Sequence, residues 1–134
     1  MARKSNRQLL IERLASISEC PFDIFELLDA DDGLFDTIAA AESGCIDSMS
    51  KILSKLFAVC YDADTCNDAV LYWADKACEF ELVEQTLQFI DYSIRYNVGF
   101  DIALRGLAMI SNLGMDGLMQ DLDGVSEELT VLHI

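Results

Sequence analysis

Proline occurs once in this chain of 134 residues, at Pro21, and no two-residue hairpin signal sits between alternating apolar runs. A β-sheet is therefore not expected. Histidine also occurs once, at His133, beside the last residue of the sequence, where chains usually fray. A nucleophile activated by a histidine base is unexpected on that ground, and a zinc centre lacks its ligand spacing. The five cysteines contain no C-x-x-C. They read as reduced core thiols of a cytoplasmic protein, even though Cys60 and Cys66 bracket one loop. The longest uncharged run, Gly106 to Met115, has ten residues, against the ~20 that a membrane span needs. Neither G-x-G-x-x-G nor a Walker loop occurs, so no cofactor and no metal is expected.

Positive charge is the other scarcity. Nine Lys and Arg face 24 Asp and Glu for a net charge of −15, and four of the nine (Arg3, Lys4, Arg7, Arg13) lie in the first thirteen residues. With Glu12 counted there, the remainder carries −18. Charge of that size repels nucleic acid and anionic membranes and favours association with basic surfaces. The basic start, MARKSNRQLLIERLAS, reads as a first helix rather than a transit peptide because Glu12 interrupts it. An apolar share of 52%, slightly above the usual ~45–50%, predicts a folded chain despite the charge. A single helical domain over 1–134 is the expectation.

What is present is helical period. In Ala74–Tyr96, Val83, Leu87, Ile90 and Ile94 fall at steps of 4, 3 and 4, with Glu81, Glu84, Gln88, Asp91 and Arg95 on the opposite face. That stretch predicts one long amphipathic helix. Met49, Ile52, Leu53, Leu56, Phe57 and Cys60 give a second strong period. Elsewhere Asn6 reads as the first cap, Pro21 as the start of a short second helix, and Asp32 as the cap of a helix that Gly44 ends. Residues 61–67 read as a polar loop, Asn67 or Asp68 as the next cap, and Asp101 as the cap of the helix through Asn112. Asp29 to Gly33 has the composition of a calcium loop but the wrong register. The fold expected is all-α, seven or eight helices as stacked antiparallel pairs or an irregular bundle.

A phrase recurs at Cys20–Leu28, Gly44–Leu53, Cys78–Val83 and Leu113–Leu118, at offsets of 24, 34 and 35 residues. Periods in this range suit stacked helix pairs. The phrase resembles the second helix of an ankyrin repeat, and Ala40 to Asp47 resembles that family's helix-turn-helix core. No T-P-L-H occurs and the β-turn residues between repeats are missing, so what the resemblance implies is confined to the helix pairs.

Two acidic lines are the candidate sites. The first is Asp23, Glu26, Asp29, Asp31, Asp32 and Asp36; the second is Asp62, Asp64, Asp68, Asp75, Glu79, Glu81 and Glu84, with Tyr72 and Tyr92 as aromatic anchors. Carboxylates three or four residues apart on a helix lie ~5–6 Å from one another, near the spacing of backbone phosphates. The function expected is therefore non-enzymatic: an inhibitor or mimic that engages the basic, nucleic-acid-binding surface of a partner protein without binding nucleic acid itself. In size and charge the chain resembles small phage-encoded inhibitors of host defence, anti-CRISPR proteins among them. The alternatives are an adaptor that takes an apolar peptide in a helical groove and, more remotely, a paired-carboxylate enzyme. Residues 38–53 also fit a DNA-reading helix-turn-helix, but Glu42 and Asp47 stand where Arg or Lys is wanted. Leu118, Met119, Leu122, Val125, Leu129 and Leu132 exceed what one last helix can bury and predict a homodimer contact, the alternative being closure of the same face on the basic first helix with Arg7 and Arg13 meeting nearby acids.

Overall fold

The computed structural model describes residues 5–114, and every regular element among them is a helix. In chain order these are α1 (Asn6–Ala15), a 3-10 helix (Phe22–Glu26), α2 (Asp32–Glu42), α3 (Ile46–Ala63), α4 (Asp68–Glu79), α5 (Val83–Tyr96) and α6 (Phe100–Asn112). The protein is all-α, with six α-helices among the described residues rather than seven or eight. The element after Pro21 is only five residues long, too short to nucleate an α-helix, and closes as a 3-10 turn. The self-association face (Leu118, Met119, Leu122, Val125, Leu129, Leu132) lies outside the described residues.

Two caps sit one residue earlier than the sequence suggests. Ser5, not Asn6, begins α1 through a capping box in which its hydroxyl accepts from the Gln8 amide while the Gln8 side chain accepts from the Ser5 amide. Asp31, not Asp32, caps α2, its Oδ1 accepting from the Leu34 amide at 2.8 Å. Asn67 rather than Asp68 caps α4 by accepting from the Ala69 amide at 3.0 Å. Asp101 is not a cap, since α6 begins at Phe100 behind Gly99 at φ 64°. The polar loop after α3 is also shorter than expected, because that helix runs on to Ala63.

The chain divides into two compact units after Trp73, inside α4. In the first, α2 and α3 pair across a three-residue turn, Ser43 to Cys45. Gly44 at φ 100° lets the Cys45 amide reach the Ala40 carbonyl and the Gly44 amide reach that of Ala41, both at 3.0 Å. Ile38 and Ala41 of α2 and Met49, Ile52, Leu53, Leu56, Phe57 and Cys60 of α3 are buried, as the 3.6 period requires. Trp73, fully buried, meets the Tyr72 ring edge-on at 5.0 Å between centroids.

In the second unit α5 and α6 pair across Asn97 to Gly99, with Asn97 in the left-handed region at φ 59°. Gly106 permits close approach: a Cβ there would stand 2.5 Å from Thr86 Cγ2. Residues 74–96 are not one helix. They break at Phe80–Leu82, where Glu81 takes φ 59°. The outward face of α5 is as expected, with Glu84, Gln88, Asp91 and Arg95 exposed, while the buried seam centres on Thr86, Phe89, Ile90 and Ser93. The first three copies of the repeated phrase share no structural setting: the first includes the 3-10 turn, the second opens α3 and the third spans the break after α4, while the fourth, Leu113–Leu118, runs outside the described residues.

Candidate functional site

The first acidic line separates into structural and uncommitted members. Asp23 is half-buried; its Oδ2 accepts from the Asp68 amide at 2.8 Å and its carbonyl from the Asn67 side chain at 3.0 Å, which ties the 3-10 turn to the start of α4. Burial outweighs the hydrogen bonds from the Asp68 and Ala69 amides and raises the Asp23 carboxyl above its ordinary value. Asp31 is spent as a cap, and Asp32 holds Arg13 at 2.8 Å while that guanidinium lies 4.1 Å from the Phe35 ring centroid. Glu26, Asp29 and Asp36 are exposed and have no side-chain partner among the described residues.

The second line is not a single face. Asp62 is exposed in the last turn of α3, and Asp64 ends that helix at φ 50°. Asp68, Tyr72, Asp75 and Glu79 follow one stripe of α4 at steps of 4, 3 and 4. Within that stripe Asp75 pairs with Arg105, and the Tyr72 hydroxyl donates to both carboxylate oxygens of Glu42, at 2.8 and 3.0 Å. Tyr92 is 0% exposed and stands beside Phe89 and Tyr96. It is a core residue and not an anchor, a correction that follows from the width of the α5 seam.

Sequence reasoning missed Phe80. The chain leaves α4 through three bonds: the Phe80 amide donates to Lys76 O at 2.9 Å, that of Glu81 to Cys78 O at 3.2 Å and that of Leu82 to Ala77 O at 2.8 Å. This closure puts Glu81 in the left-handed region and turns Phe80 outward, 41% exposed. Glu79, Glu81 and Glu84 are exposed around it and have no partner among the described residues. The signal was local: an aromatic between two acids, just where an apolar seam shifts phase, marks a corner rather than a helix interior.

Chemistry is sparse at these positions. Among the described residues no group of three or more His, Cys, Asp or Glu could hold a metal, and none is a histidine. The cysteines are free thiols, but not all belong to the core as read, because Cys45 and Cys66 are exposed. Burial pushes the Cys20 thiol up to about 12, against an opposing pull from the Trp73 indole N–H. Cys78 is raised by burial as well, whereas the Ser48 hydroxyl and amide lower Cys45. No helix among the described residues is long and apolar enough to cross a membrane. No family model, no curated protein and no solved structure matches the chain. The ankyrin resemblance rests on the repeated phrase and on Ala40 to Asp47 alone.

Proposed function

We propose that the chain is a non-enzymatic binding domain that meets a basic surface of another protein with its α4–α5 corner. One observation carries the reading: Phe80, 41% exposed, stands among three carboxylates without a partner among the described residues, Glu79, Glu81 and Glu84. An aromatic ring is the kind of anchor that dominates interface energetics, and a rim of charge speeds and orients encounter. Among the described residues nineteen carboxylates face seven Lys and Arg, so at least twelve carboxylates have no cation of their own. The surface they fit is one that would otherwise hold a nucleic-acid backbone, which makes the domain an inhibitor or mimic.

Immobilised wild type, F80A and E79K/E84K, each exposed to lysate at low and high ionic strength, test the reading. The expected result is a species retained by wild type at low salt, released at high salt, lost from both variants and displaced by added nucleic acid. Retention indifferent to salt and to all these substitutions sinks it.

A further inference from the structure

Cations are scarce in this protein, and among the described residues two of them, both on α3, have no partner of any kind. Arg13 and Arg105 hold Asp32 and Asp75, Arg7 lies over the Phe22 ring, and Lys76 and Arg95 have partners too. Of the Lys and Arg among the described residues, only Lys51 and Lys55 make no hydrogen bond, ion pair or ring contact, although Asp47 stands one turn before Lys51 in α3. They lie one turn apart, a spacing at which like charges repel.

Both line a groove of ≈ 430 Å³ in the first unit. That volume falls within the ~300–1,000 Å³ of small-ligand sites. Leu27, Leu28 and Leu34 give the groove an apolar part within a lining that is otherwise polar, with Asp31 and Thr37 beside it, and Asp29 lines it too with a carboxylate that has no partner among the described residues. Solvated lysines on a helix surface would need neither the leucines nor the acid.

We infer that this groove binds a small zwitterion with an apolar body, of the class of di- and tripeptides of apolar residues. The ligand's carboxylate meets Lys51 and Lys55, its side chains cover the leucines, and its ammonium meets Asp29. Each part of the ligand then meets a complementary group of the groove: two ammoniums, three leucines and a carboxylate. The site is separate from the α4–α5 corner and stands whether or not that corner binds a protein.

Chemical-shift titration of the full chain tests it, with Leu-Leu as the probe beside its N-acetyl form, its C-terminal amide and octanoate. Leu-Leu should move the amide signals of Asp29, Leu34, Lys51 and Lys55. K51Q/K55Q should weaken it about tenfold or more with the helical circular dichroism intact, because both side chains are exposed. The acetylated and amidated forms should each bind less well, and D29N should weaken Leu-Leu but not N-acetyl-Leu-Leu. The inference is overturned if millimolar Leu-Leu moves none of these signals, if K51Q/K55Q binds as wild type does, or if octanoate binds as well as Leu-Leu.

Discussion

Asp23 shows how a carboxylate that looks like part of an acidic surface can be part of the frame. Its raised carboxyl value means that the ionised form is the one folding disfavours, because burial costs it more than the amides of Asp68 and Ala69 return. The contribution of the neutral form to stability is fully present below the ordinary carboxylate value and is lost as pH rises through the raised one. D23N keeps an acceptor for the Asp68 amide and never ionises. It is expected to match or exceed wild type in urea midpoint at pH 7 and to lose that advantage at about pH 3, where both side chains are neutral. D23A removes the acceptor and should cost about 1 kcal/mol at either pH, as the loss of a helix cap does. A D23N midpoint below wild type at neutral pH would refute the burial account. Nothing in the sequence distinguished Asp23 from Asp29, because the difference arises 45 residues later, at the α4 amide it accepts.

At the level of elements, helix identity was legible and helix ends were not. The seam of α3 could be read directly, since Met49 to Cys60 keeps one phase over three turns. The break between α4 and α5 could not, because its left-handed residue is Glu81, where glycine is the residue that ordinarily announces such a closure. A side chain in that conformation costs ~1–2 kcal/mol. E81G is expected to raise the unfolding free energy by about 0.5–1 kcal/mol after glycine's own entropy cost, while weakening any partner held at the corner. Denaturant midpoint and retention should move in opposite directions, and a destabilised E81G would show that Glu81 makes contacts that outweigh its strain. The α5–α6 pair is held differently. G106A drives a methyl into Thr86 Cγ2 at 2.5 Å and should cost about 1–3 kcal/mol. T86S removes that methyl, so G106A/T86S should recover much of the loss in a double-mutant cycle. Strict additivity of the two substitutions would mean that the helices do not meet there.

Over the whole chain the net charge of −15 sets the sign of the salt response. Self-repulsion among unmatched carboxylates opposes compaction, so sodium chloride should raise the melting temperature by roughly 2–5 °C despite weakening the Arg13–Asp32 and Arg105–Asp75 pairs. A lowered midpoint would show that ion pairs outweigh repulsion. Charge was fully legible in the sequence, but the division after Trp73 was not, because it falls within an unbroken helix and no composition shift or linker marks it. The same residue turns that division into something that can be watched. Trp73 is the chain's only tryptophan, has no exposed surface, and lies beside a tyrosine ring and the Cys20 thiol. Its emission is thus a native optical probe, blue-shifted in the folded chain and red-shifted once water reaches the indole, and it reports on the first unit. Far-ultraviolet circular dichroism reports on all six α-helices of the described residues, in both units. With α4 continuous through the division, the two signals should trace one coincident denaturation curve. Separate midpoints would mean that the chain melts in two steps, with a half-folded species between them.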